Sequence, residues 1–282
     1  GTHSHGQGHE TVYKQIVVEK LGVAIENISF FQGDTDLIAE GFGTFGSRSV
    51  SLCGSAIIRA SEKIISKGKK IAAYILEADE NDIHFKNNKF FVIGTDKNIS
   101  WYELAIIAND ASKLPSNIDN GLAEKGIFSP SHPTFPNGCH CAEIEIDEET
   151  GDIQLVNYVV VDDVGFVLNP LLLKGQIHGG VVQGLGQILM EEIIYDKKNG
   201  QLVTGSFMDY CMPRAKDVPF FKVHSNPCPT SLNPLGVKGA GEAGTVGAMP
   251  AVMNSIYNVL YNYGIEKIKM PVTSEKIWKA LY

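Results

Sequence analysis

Glycine is spread so unevenly along this chain of 282 residues that it limits what the backbone can do. Of 29 glycines, nine fall in residues 1–54, six in 165–186 and five in 236–247, so three short stretches hold most of them. Clustered glycine marks backbone held at positive φ, or backbone that something must approach closely, because a Cβ forbids both. The three clusters are therefore the candidate functional surfaces.

The remaining composition narrows the class. A hydrophobic share of 44% over 282 residues is enough for one large domain or two ordinary ones with a buried core. Net charge is −8 with no basic run, which argues against a nucleic-acid partner. No apolar stretch approaches the roughly 20 residues of a membrane helix. Five cysteines (53, 139, 141, 211 and 228) in a long chain do not make a secreted disulfide framework. With no signal peptide in the residues present, a cytoplasmic location is expected. The opening Gly1-Thr2-His3 has no Met, so a processed start or a piece of a longer polypeptide is expected.

Hydrophobic periodicity predicts a helix over residues 9–21 closed by Gly22, a strand at Ile28–Phe31, and a helix from Ser47 to about Ser66. A hairpin is expected at Ile83–Phe85 and Lys89–Val92 around Asn87-Asn88. Ser100 and Glu103 form a capping box for a helix ending near Asn109. Four prolines between Ser112 and Pro136 suggest a subdomain boundary, taken as 1–125 and 126–282. Beyond it, a hairpin is expected at Ala142–Ile146 and Ile153–Val161, a helix at Leu171–Glu192, and two strands flanking Asn199-Gly200. Pro213–Pro234 reads as irregular, and helices are expected from Pro250 to Tyr261 and over Ser274–Leu281. Strands and helices mix without strict alternation, which predicts an α+β fold.

Two loops formally match G-x-G-x-x-G: Gly41–Gly46 and Gly239–Gly244. Neither follows a strand directly, and the second carries Glu242, which would repel a pyrophosphate, so a Rossmann site is not expected. The first loop still offers Thr44, Ser47, Ser49 and Arg48 at a helix N-terminus. That is the composition of an anion site, or of an ordinary serine cap beside an exposed arginine. In the helix after Pro170, Gln176, Gln183 and Gln187 form a stripe with Gly179 and Gly180 between them. A polar ligand lying on the helix would explain this, and so would tight helix packing. Gly6-Gln7-Gly8 pairs an amide with glycine in the same way. Glu242 would suit general-base work if its loop were buried; otherwise it is a glutamate near a helix N-terminus. His3, His5 and His9, and Cys139-His140-Cys141, lack the spacing of a zinc or iron–sulfur site, so no protein metal ligand is expected.

Taken together these motifs resemble the molybdenum hydroxylases, the xanthine dehydrogenase and aldehyde oxidase family, and most of all the large subunits of aerobic carbon-monoxide-dehydrogenase type. The resemblance rests on His5–Thr11, Gly33-Asp34-Thr35-Asp36, Gly43–Ser49, Val161-Asp162-Asp163 with Asn169-Pro170, Gly175–Gly180 through Gln183-Gly184, Ser206–Tyr210, and Lys238–Glu242. It implies two mixed α/β subdomains of a molybdopterin-binding domain, forming the second half of a large subunit whose first half lies upstream. It implies that Gly6, Gln7, Gly8, Thr44, Gly46, Ser47, Arg48, Ser49, Gln183, Lys238, Gly239 and Gly241 hold molybdopterin with its molybdenum. The cytosine dinucleotide form is the usual one in bacterial relatives. Glu242 then maps onto the active-site glutamate, acting as general base or orienting the metal's labile ligands while water supplies the inserted oxygen. The implied partners are the N-terminal half, a small iron–sulfur subunit, an FAD subunit and a small-molecule substrate: carbon monoxide, an aldehyde or an N-heterocycle. One departure is Gly-Ala-Gly-Glu where relatives often carry Gly-Val-Gly-Glu. Two other classes remain open: a relative that folds without holding cofactor, and a nucleotide-binding oxidoreductase using the Gly41–Gly46 loop.

Overall fold

The computed structural model describes all residues, 1–282, and the chain divides into two compact units. The first comprises Gly1–Pro133 with Ser231–Leu235, and the second Thr134–Thr230 with Gly236–Tyr282. Both mix helices with a small sheet, so the fold is α+β.

In the first unit, helix α1 (His9–Leu21) ends where Gly22 turns to φ 67° and its amide returns to Val18. Helix α2 (Ser55–Leu76) crosses an antiparallel sheet of β1 (Ile83–Lys86), β2 (Lys89–Val92) and β3 (Asn98–Ser100). Asn87 and Asn88 both adopt positive φ, as a tight two-residue hairpin turn demands. The Ser100–Glu103 capping box forms with both of its bonds and opens α3 (Trp101–Ala108). Ile71, Ile83, Phe90, Trp101 and Leu104 make the core.

Two expectations fail in this unit. Ile28–Phe31 is not a strand, because no neighbouring strand pairs with it. The helix expected from Ser47 starts later and runs further. Gly46 and Ser47 are left-handed, a wide turn covers Val50–Gly54, and α2 continues past Ser66. Gly68 does not end it; a Cβ there would meet the Phe90 ring at 2.4 Å, so this glycine is a packing contact.

In the second unit, β4 (Asn137–Ile146) and β5 (Ile153–Asp163) form a long antiparallel hairpin with a register break at Glu143/Ile144. Helix α4 (Pro170–Leu189) is capped by Asn169. Strand β6 (Lys222–Ser225) adds in parallel to β5, within the stretch expected to be irregular. Only a single bridge, Tyr195 to Leu202, remains of the strands expected around Asn199-Gly200. Helix α5 (Ala243–Leu260) packs against α4 and β4, and α6 (Ser274–Leu281) completes the unit. Its core joins Tyr158, Val160, Ile177, Leu185, Ile188, Val252, Ile256 and Ile277.

Helix α5 begins at Ala243 rather than Pro250, which lies inside it. The intervening Gly-Ala stretch looks like a loop by propensity, yet tertiary contact makes it helical. A Cβ on Gly244 would sit 2.6 Å from Ile177 O, and one on Gly247 would strike the His140 ring at 2.5 Å. The second and third glycine clusters therefore meet each other. A Cβ on Gly180 would lie 3.0 Å from Gly244 Cα, and one on Gly184 would lie 2.9 Å from Ala248 Cβ. Packing accounts for those two α4 glycines, while Gly175 and Gly179 face open space.

Candidate cofactor-binding site

The residues singled out in the first unit gather at two helix starts. Gly6 (φ 97°) and Gly8 (φ 81°) bend the chain into the N-terminus of α1, with Gln7 between them accepting a bond from the His5 amide. Gly43 (φ 75°), Gly46 (φ 61°) and Ser47 (φ 50°) bend the second loop into the turn that precedes α2. Positive φ at a serine is uncommon and shows how tightly this loop is constrained. The two stretches touch: the His3 amide donates to Thr44 Oγ1 at 3.1 Å, and the Gly43 amide to Gly1 O at 3.2 Å. Ser49 is buried and donates its hydroxyl to Thr44 Oγ1 at 2.9 Å. Arg48 lies over the Phe45 ring at 4.0 Å.

This arrangement fits an anionic, phosphate-bearing group. A Cβ added at Gly6, Gly43 or Gly46 would meet nothing within 4 Å, so bare backbone is presented to open space beside hydroxyls and a guanidinium. Helix N-termini carry partial positive charge and unpaired amides, which favour anions. The Gly41–Gly46 loop follows no strand, and the only parallel pair is β5 with β6, so the βαβ frame of a dinucleotide fold is missing here.

In the second unit Glu242 is the N-cap residue of α5 and is exposed. The burial on which general-base work was conditioned is not provided within this unit. The loop leading to it is built on the end of β5. Val237 bridges Gly165, the Lys238 amide donates to Val164 O at 2.8 Å, and the Phe166 amide to Gly236 O at 2.8 Å. A Cβ at Gly165 would lie 2.3 Å from Gly236 O, so only glycine permits this approach. Lys238 Nζ donates to Asp163 Oδ2, while Asp163 Oδ1 accepts from the Gly165 amide at 2.8 Å and the Cys228 amide at 3.0 Å. Gln183 is exposed on α4, its Oε1 3.0 Å from the Thr245 hydroxyl, which also lies 2.9 Å from Gly180 O. Gln183 is thus tied to the first turn of α5, just after Glu242.

Asp163 and Thr245 escaped the sequence reading. Val161-Asp162-Asp163 was visible as a motif, but nothing local ties Asp163 to a lysine 75 residues away. Burial pushes the Asp163 carboxyl up, but the Lys238 ammonium and the two amides outweigh it and hold the group at about 2. Because this value lies below the unfolded one, about 3.9, the interaction stabilises the fold at higher pH and is lost on acidification. With both side chains largely buried (14% and 13% exposed), it contributes about 2 kcal/mol above roughly pH 5, fading between pH 4 and 2. Urea unfolding of wild type and Asp163→Asn should differ by that amount at pH 7 and converge toward pH 2. A gap that stays constant with pH would refute this.

No group of three or more His, Cys, Asp or Glu side chains converges. His9 is buried with Nδ1 3.0 Å from Gln32 Nε2, and burial lowers its pKa. Cys139 and Cys141 are exposed, and between them His140 bonds the Tyr158 hydroxyl at 2.8 Å and Asp162 at 3.2 Å. No helix is long and apolar enough to cross a membrane.

Comparison with known proteins gives this architecture its context. The molybdopterin cofactor-binding domain family matches residues 1–219. The carbon monoxide dehydrogenase large chain of Hydrogenophaga pseudoflava is 34% identical over 100% of this chain and 35% of its own length. The gamma subunit of the 6-hydroxypseudooxynicotine dehydrogenase complex of Paenarthrobacter nicotinovorans is 37% identical over 99% of this chain and 35% of its own length. The crystal structure of quinoline 2-oxidoreductase from Pseudomonas putida 86 superposes with a TM-score of 0.90 at 34% identity, covering 99% of this chain and 36% of that one. The chain therefore spans about a third of the length of the relatives it matches. Sequence and fold agree, and the chain belongs to the molybdopterin cofactor-binding domain family, as represented in the carbon monoxide dehydrogenase and xanthine dehydrogenase type of molybdenum oxidoreductases.

Proposed function

We propose that this chain is the cofactor-holding, glutamate-bearing portion of a molybdenum hydroxylase large subunit. The observation that carries this is the pair of glycine-bent helix starts in the first unit, with open space at Gly6, Gly43 and Gly46 beside Thr44, Ser47 and Arg48. When bound, the molybdenum–pterin group supplies the redox chemistry, and the protein supplies position and electrostatics. Gly6, Gln7, Gly8, Thr44, Gly46, Ser47 and Arg48 hold its phosphate end, in the cytosine dinucleotide form, with Ser49 fixing Thr44 from behind. On the second unit Gln183 offers an exposed amide and Gly241 exposed backbone, whereas Gly239 is buried within the loop that Lys238 anchors. Glu242 accepts a proton as a small substrate is oxidised with water as the oxygen source. Iron–sulfur and FAD partner chains would receive the electrons. The upstream part of the large subunit supplies the substrate side; carbon monoxide, an aldehyde and an N-heterocycle are the candidate substrates.

Gly46→Val tests the cradle. Its Cβ would project into the open space at φ 61°, where a branched side chain also strains the backbone by about 1–2 kcal/mol. Gly200→Val, at φ 73° with equally open space but outside the cradle, is the control for strain alone. In the purified complex, Gly46→Val should lose most of its molybdenum and Gly200→Val should keep it. Equal loading of the two would overturn the assignment.

A further inference from the structure

The geometry points to Asp163 as a positioning residue for Glu242, acting through Lys238. This rests on the reading of Glu242 as the proton acceptor. Asp163 ends β5 and gathers three partners from separate segments: the Gly165 amide just after the strand, the Cys228 amide after β6, and the Lys238 ammonium at the start of the glutamate loop. Between Lys238 and Glu242 stand only Gly239, Ala240 and Gly241. Two of those three are glycine, so the segment has little stiffness of its own. Besides the Ala243 amide bond to Ala240 O at 3.3 Å, its placement depends on its ends. The far end is fixed by α5, whose Gly244 and Gly247 lie against α4 and the His140 ring. The near end is fixed by the backbone bonds of 236–238 to 164–166 and, at the side-chain level, by Asp163.

The neighbouring Asp162 supports the same device from the other face of the strand. It is 2% exposed and lies 3.2 Å from His140 Nε2, and that ring is the surface on which Gly247 rests. Adjacent residues of a strand point to opposite faces. The end of β5 thus holds the loop before Glu242 with one carboxylate and the floor beneath α5 with the other.

The test uses the assembled holoenzyme. In Asp163→Asn the amide oxygen can still accept from Gly165 and Cys228, so only the ion pair is removed; Lys238→Met removes it from the other side, and Lys238→Arg keeps it. Asp163→Asn and Lys238→Met are expected to lower kcat at least tenfold with KM and molybdenum content little changed. Both should accelerate amide hydrogen exchange over residues 236–243, and Lys238→Arg should restore both readouts. Combined with Glu242→Gln, Asp163→Asn should add no further loss, as expected of groups acting as a unit. Unchanged exchange and kcat in Asp163→Asn, while Glu242→Gln is inactive, would overturn the role of Asp163 alone. Full activity in Glu242→Gln would instead refute the underlying reading, while the exchange data would still report on the loop.

Discussion

Glu242→Gln in the assembled enzyme is expected to lower kcat by about 10²–10⁴-fold, the usual contribution of a positioned general acid–base group, while molybdenum content stays at the wild-type level. The substitution is nearly isosteric and keeps a polar group at the same place. Glu242 sits at the N-cap of α5 but does not cap it with its side chain, so the helix loses no capping bond when the carboxylate becomes an amide. The fold around it is held by other residues: Gly244 against Ile177 O, Val237 bridged to Gly165, and the Thr245 hydroxyl between the helices. Loss of activity with intact metal would therefore report on the carboxylate itself. Retained activity would remove Glu242 as proton acceptor, and loss of the metal would turn it into a cofactor-retaining residue.

Gly244→Val should strongly destabilise the second unit. The new Cβ would lie 2.6 Å from Ile177 O, 2.9 Å from Val181 N and 3.0 Å from Gly180 Cα. All three are backbone atoms of α4, which cannot rotate away as a side chain can. Overpacking of a close-packed interior typically costs about 1–3 kcal/mol, and a clash with rigid helix backbone belongs at the upper end of that range or beyond it. Because α5 must back away from α4 and β4, turnover should fall together with stability. Gly179→Ala is the matched control on the open face of α4, expected to be neutral or to stabilise by up to roughly 1 kcal/mol through helix propensity. Denaturant unfolding of both variants checks this; a Gly244→Val protein as stable as wild type would show that the helices are not in the contact described.

What could be read from the sequence was what local chemistry decides. The Asn87-Asn88 turn, the Ser100–Glu103 box and the Gly22 stop are set by residues within a few positions of one another, and each forms as expected. The start of α5 was misplaced because Gly244 and Gly247 look like loop until α4 and His140 are brought against them. Strand β6 was missed because a four-residue, largely exposed edge segment has no pattern of its own without β5 beside it. The same division runs through the candidate site. Thr44, Ser47 and Arg48 among glycines are legible as an anion loop, whereas the Asp163–Lys238 pair exists only after the hairpin has closed. In α4 the glycines had two explanations, and the structure separates them residue by residue: Gly180 and Gly184 pack, while Gly175 and Gly179 stay open.

The glycine clusters are thus two kinds of surface, an open cradle in the first unit and a helix contact in the second that sets the base of Glu242. The central claim, that the cradle holds a molybdenum–pterin dinucleotide, is tested most directly by metal and nucleotide analysis of the chain purified with its full complex. Molybdenum and CMP released by acid, each equimolar with this chain, are the predicted result. A fully assembled complex that contains no molybdenum would contradict it.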